Sequence, residues 1–173
     1  MQRNFLKMAE SMKQELIETR RDFHRHPELG YDLERTSGKV KQFLDKWCIE
    51  YKDTARTGIC AIIRGKGTKT IGIRADMDAL PLEDKKVCDY SSEVKGKMHA
   101  CGHDAHTAIL LGAAKILNSI KDELRGNVKL FFEPAEETTG GAKVMIEDGV
   151  LEEPKVDRVI GLHVEENIEV GNI

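Results

Sequence analysis

Apolar residues in the first part of the chain recur at steps of three and four. Phe5, Met8, Met12, Leu16, Thr19 and Phe23 fall on one stripe, which predicts a single amphipathic helix up to about His26. Pro27 closes it, because the residue ahead of a proline is pushed out of the helical region. Residues 34–47 repeat the pattern, with Val40, Phe43, Leu44 and Trp47 as the apolar face. Beyond them the texture changes. GICAIIRG and TIGIRA are short β-branched runs bounded by glycine, lysine and threonine, so both read as strands. GKGTKT, residues 65–70, is the expected hairpin turn between them.

Residues 105–120 are apolar on one face and rich in Ala and Leu, which predicts a helix. NVKLFF (127–132) is the next strand, GAKVMIE (141–147) a short helix closed by Gly149, and VDRVIGLH (156–163) a further strand. Strand and helix in alternation predict an α/β layer structure, with a mixed or largely parallel sheet flanked by helices. No repeat, low-complexity tract or linker interrupts the pattern, and 173 residues suffice for one domain with a real core.

A net charge of -3 gives no reason to expect nucleic acid or an anionic membrane as partner. Charges interrupt the N-terminal segment every few residues, so it has no signal-peptide core, and no window approaches the apolar length of a membrane span. Cys48, Cys60, Cys88 and Cys101 are scattered without a CxxC pair. Neither a disulfide framework nor a thiolate zinc finger is implied, and the expected compartment is the reducing cytoplasm.

One stretch stands apart. MHACGHDAH, residues 98–106, holds three of the six histidines and one of the four cysteines. It fits a metal site, a Cys101 nucleophile with His103 or His106 as base, or a polar loop that is rich in histidine. Other polar residues fall after predicted strands: Asp76 and Asp78 after TIGIRA, Glu133, Glu136 and Glu137 after NVKLFF, and His163 at the end of VDRVIGLH. In open α/β sheets ligands bind outside the carboxyl ends of the strands, so one face would gather these groups. Thiolate, imidazole and carboxylate together suit zinc and its neighbours, and the surplus of donors suggests two ions. In the pair Glu136–Glu137 one carboxylate would turn to the metal and the other stay free as general base. Taken singly, each feature has a plainer reading. Asp76 and Asp78 would be loop carboxylates, PAEE the acidic first turn of a helix, His163 a half-buried strand-end histidine, and His24 and His26 would cap or follow the first helix.

Read together, the landmarks RRDFHRHPELGYDLERTS, IGIRADMDALPLED, MHACGHDAHTAILLGAAKIL, FFEPAEETTGGAKVMIEDGVL and VIGLHV decide between these. In this order the chain resembles the metal-dependent N-acyl-amino-acid amidohydrolases. These are the branch of the aminoacylase and carboxypeptidase-like zinc peptidases that includes hippurate hydrolase, indoleacetyl-amino-acid hydrolase and N-acetyldiaminopimelate deacetylase. The resemblance implies hydrolysis of an N-acyl amino acid to an amino acid and a carboxylate. It implies Cys101, His103, Glu137 and His163 as direct metal ligands, and Glu136 as the base that activates water and passes the proton to the leaving amine. Asp78 is implied as the carboxylate behind the site that orients a ligand. His106 is implied as support rather than ligand. The ions implied are divalent, two to a complete site, with zinc, manganese, nickel or cobalt suiting a cysteine ligand.

Members of that family continue into a smaller lid domain and then return to finish the catalytic domain. Residues 1–173 therefore read as the N-terminal part of an incomplete zinc-peptidase-like catalytic domain, stopping at VGNI. The lid and the last family histidine are expected from elsewhere, in a separate chain or a homo-oligomer. The competing expectation is a truncated, inactive remnant that still binds metal.

Overall fold

A computed structural model describes residues 4–172. Residues 1–3, where the N-terminal segment begins, and Ile173, which ends VGNI, lie outside them. A five-stranded mixed sheet runs in the order β1-β2-β4-β3-β5. Its strands are β1 (Glu50–Thr54), β2 (Gly58–Ile63), β3 (Thr70–Asp76), β4 (Asn127–Glu133) and β5 (Arg158–Gly161). β1, β2 and β4 pair antiparallel, while β3 lies parallel to both β4 and β5. The helices are α1 (Phe5–Ser11), α2 (Lys13–Arg25), α3 (Glu34–Lys46), α4 (His103–Ser119) and α5 (Gly141–Glu147). The expected α/β class with a mixed, helix-flanked sheet is what the chain adopts. No helix among the described residues is long and apolar enough to cross a membrane.

The alternation of side chains along the strands builds two apolar layers. Ile59, Ala61 and Ile63 of β2, with Leu130 and Phe132 of β4, pack against Phe23 of α2, Val40 and Leu44 of α3, and Leu110, Leu111 and Ala114 of α4. Each large side chain buried there contributes about 1.5–3 kcal/mol. On the opposite face Cys60 and Phe131 meet Met145 of α5 and Val150. Phe131 reaches across β3 because Gly72 has no side chain: a Cβ there would lie 2.4 Å from the Phe131 ring.

Several expectations are corrected. The first helix is two, broken at Met12. The Ser11 hydroxyl donates to the Met8 carbonyl (2.7 Å), and the Met12 amide turns to Ala9 (3.0 Å) instead of continuing the helical ladder. Residues 65–70 are not a hairpin turn, because β4 lies between β2 and β3. The connection pairs with the approach to β4 instead: the Lys66 amide donates to Leu124 and the Asn127 amide to Lys69. β3 and β4, joined through α4, form a parallel crossover unit, and β4 takes the edge of β3 that a hairpin would have used. The actual hairpin joins β2 to β1, a charged strand, EYKDT, with no apolar run to announce it. Its turn holds Ala55 and Arg56 at φ 43° and 66°, without the Asn-Gly signal usual for such geometry. β5 is shorter than expected and all four of its residues are exposed.

Candidate metal centre

The carboxyl ends of the parallel strands β4, β3 and β5 meet at one edge of the sheet, and the loops after them gather the polar residues. Glu28–Gly30, just after α2, braces this edge. The Glu28 carbonyl accepts the Ala79 amide (2.8 Å) and the Gly30 carbonyl accepts the Ala135 amide (3.0 Å). The Glu28 carboxylate meanwhile caps α3 through the Arg35 and Thr36 amides. HPELG is thus a structural brace for the two loops that carry Asp78 and Glu136–Glu137.

Asp78 is 1% exposed. Its Oδ1 accepts the Glu136 amide (3.0 Å) and its Oδ2 the Glu137 amide (3.1 Å), so one buried carboxylate holds the backbone of both glutamates. Ala135 precedes them at φ 56°, a left-handed conformation that turns the chain sharply after β4. The two side chains then part: that of Glu136 is 40% exposed, that of Glu137 only 19%.

His103 is the first residue of α4, which begins two residues earlier than the apolar pattern suggested. The ring is buried among carboxylates. Nδ1 lies 3.5 Å from Asp78 Oδ1, and Nε2 lies 3.5 Å from Asp76 Oδ2, 3.6 Å from Glu137 Oε1 and 3.8 Å from Glu136 Oε2. Both ring nitrogens and Glu137 Oε1 are buried without a hydrogen-bond partner. Cys101 Sγ sits 3.3 Å from His163 Nε2. Donor atoms of Cys101, His103 and His163, and separately of His103, Glu136 and Glu137, lie within 4.8 Å of one another. The structure therefore brings together all six residues singled out from the sequence.

The electrostatics explain why these groups want a cation. Burial pushes the Cys101 thiol up to about 12, assisted by Glu137 and by the charges of Asp76 and Glu136. Burial alone would push the His103 pKa down, yet Asp78, Asp76 and Glu137 raise it. The His103 shift, and the smaller part of the Cys101 shift that burial does not supply, express nearby negative charge that a divalent ion would offset. A thiol held near 12 is also a poor nucleophile at neutral pH, which counts against the cysteine-nucleophile reading. The imidazole at hydrogen-bond distance from the sulfur is that of His163, not the His103 or His106 that the nucleophile reading needs as base.

Several residues that support the site were not legible as such. Asp76, gathered with Asp78 on the ligand face but given no role of its own, is 1% exposed and accepts from Arg74 Nη1 (2.6 Å) and His106 Nδ1 (2.6 Å). Burial pushes its pKa up, but His106, His103 and Arg74 more than offset this and leave it lowered. Arg74 also donates to Glu133 (2.6 Å), tying the ends of β3 and β4 together. His24, expected merely to cap or follow its helix, is fully buried, with Nδ1 2.8 Å from Asp104 Oδ2. Arg20 Nε lies 2.7 Å from that same oxygen. Asp104 follows His103 directly, so α2 pins the turn of α4 that presents it. The signal was present in FHRH at helical spacing, but its partner lies 80 residues away.

A sequence profile of peptidase family M20/M25/M40 matches residues 72–173, more than half of the chain. The chain belongs to peptidase family M20/M25/M40. IAA-amino acid hydrolase ILR1-like 5 of Arabidopsis thaliana is 44% identical over 174 residues, covering 99% of this M20 chain and 40% of its own length. N-acetyl-L-cysteine deacetylase of Bacillus subtilis is 45% identical over 165 residues, covering 94% of the chain and 39% of its own. A Bacillus subtilis crystal structure, described as a dinuclear metal binding peptidase from the M20 family, superposes with a TM-score of 0.89 at 41% identity. It covers 94% of this chain and 45% of that one. The M20 chain thus spans about 40% of the length of the curated relatives it matches.

Proposed function

We propose that the chain carries the metal-binding half of an amidohydrolase that cleaves the amide bond of N-acyl amino acids, giving an amino acid and a carboxylate. The observation that supports this most is the convergence of buried donors without partners, His103 and Glu137, with Cys101 and His163 around one carboxylate-rich edge. The names of the relatives, an IAA-amino acid hydrolase and an N-acetyl-L-cysteine deacetylase, support the substrate class, an amino acid acylated on nitrogen.

In this reading Cys101, His103, Glu137 and His163 hold divalent metal, two ions in the complete site, with zinc, manganese, nickel or cobalt favoured by the thiolate. Bound there, divalent cations supply the positive charge that polarises an amide carbonyl and acidifies water. Glu136 is the base, because its side chain is the more exposed of the pair and remains free to reach solvent and substrate. Its carboxylate takes a proton from the attacking water and returns it to the departing amine nitrogen. Asp78 fixes the position of both glutamates through their amides.

Residues 1–173 are read as the N-terminal part of the catalytic domain. A lid and a further histidine ligand are assigned to polypeptide beyond them, in the same chain, a partner or a second copy. The length of the relatives supports this, as do the exposed Val159, Ile160 and Leu162 around β5. Four free cysteines favour a reducing, cytoplasmic setting.

Glu136→Gln tests the assignment. Metal content should be unchanged while hydrolysis of an N-acyl amino acid falls by about 10²–10⁴-fold. Loss of metal in that variant would place Glu136 among the ligands and overturn the division of roles.

A further inference from the structure

His163 is the least anchored of the four candidate ligands. It lies beyond β5 and is exposed, whereas His103 is buried at the start of a helix. Something other than packing must hold its ring towards Cys101. The hydrogen bonds around the next residue, Val164, supply an answer. The Val164 amide donates to His106 Nε2 (3.0 Å), and the Val164 carbonyl lies 2.6 Å from His163 Nδ1.

These contacts fix both imidazoles. His106 Nε2 accepts an N–H, so the His106 proton sits on Nδ1, where it is donated to Asp76 Oδ1 at 2.6 Å. A carbonyl can only accept, so His163 carries its proton on Nδ1 and keeps the Nε2 lone pair free. That Nε2 is the atom 3.3 Å from Cys101 Sγ. An independent feature seats the same residue. Gly102, between Cys101 and His103, has φ 91°, and a Cβ there would lie 2.4 Å from Val164 Cγ2. The missing side chain is the space that Val164 occupies.

We propose that His106 is a positioning residue. Through the Val164 backbone it latches the segment that follows β5 onto the Asp76 carboxylate, and so fixes both the place and the tautomer of His163. This rests on the reading of His163 as a ligand, but the latch is made of protein atoms alone and can be tested apart from metal binding.

The experiment has two arms. In the metal-free chain, 15N imidazole shifts should show the Nδ1–H tautomer at both His106 and His163. In His106→Leu the His163 signals should move to a mixture of tautomers. Cobalt(II) affinity should fall about 10- to 100-fold, the range found when the partner behind a metal-binding histidine is removed. His106→Gln, whose amide oxygen can still accept the Val164 N–H, should lose less. An Nε2–H pattern at either histidine of the unaltered chain overturns the latch even if His106→Leu does not fold. So do unchanged His163 signals and cobalt affinity in a folded His106→Leu. Failure of the unaltered chain to bind cobalt overturns the ligand reading instead, and leaves the tautomer result standing.

Discussion

Replacing Asp78 by asparagine removes the element that holds the two glutamates, with almost no change of shape. The carboxylate accepts two amides, from Glu136 and Glu137, at 3.0 and 3.1 Å, in a position 1% exposed. Asparagine keeps one acceptor oxygen and turns an NH2 group towards the other amide. The amide left without an acceptor costs about 1–3 kcal/mol, and the surviving bond falls from charge-assisted to neutral, a further loss of about 1 kcal/mol. A total near 3 kcal/mol follows. With a urea m-value of about 1–3 kcal/mol/M, the unfolding midpoint of the metal-free protein should drop by about 1–3 M. The same change loosens Glu137, so metal affinity should fall as well, by about 10- to 100-fold. Circular dichroism in urea reads the first effect and a competitive metal titration the second. A midpoint and an affinity both unchanged would refute the claim that Asp78 organises the site through these amides.

Asp104→Ala leaves buried His24 Nδ1 without its partner, though Nε2 still faces Asp84 and Lys86, and removes the Arg20 ion pair; it should cost about 3–5 kcal/mol, toward the low end because the Arg20 side chain is 32% exposed. For a chain of this size that is a fall of roughly 6–15 °C in Tm, measurable by calorimetry. The acid limb of stability should carry a signature of Asp22. Burial pushes its carboxyl up, but Arg35, Lys39 and His26 more than offset this and hold it below 3.8. A depressed pKa gives stability that is present above the ordinary carboxylate value and lost as pH falls through the folded one. Asp22→Asn should therefore be the less stable protein near neutral pH in urea titrations, and the gap should close as pH falls below the ordinary carboxylate range. In metal-free protein, iodoacetamide mapped by peptide mass should modify exposed Cys48 and Cys88 well before Cys101, whose thiol is held near 12. Preferential alkylation of Cys101 would revive the nucleophile reading.

The candidate donors could be picked out because each lies in a short landmark after a strand or at a helix start, where the α/β architecture gathers chemistry on one edge; their proposed roles came from the family resemblance. Their supports were not. Arg74 and Asp104 act through partners distant in sequence, Glu133 and His24, and a periodic pattern carries no information about such pairing. Strand neighbours failed for the same reason: GKGTKT has turn chemistry, but β4, arriving more than fifty residues later, displaces the local pairing of β2 with β3. β1 was missed because an edge strand made of EYKDT buries little and so shows no apolar alternation. The break at Met12 depends on one hydroxyl, that of Ser11, turning back to its own helix.

X-ray absorption on the zinc-loaded chain addresses the central claim most directly. The account predicts a sulfur neighbour at about 2.3 Å beside nitrogen and oxygen neighbours at about 2.0–2.2 Å, with the sulfur lost in Cys101→Ala. Zinc surrounded only by nitrogen and oxygen in the unaltered chain, or a sulfur shell that survives Cys101→Ala, would contradict it.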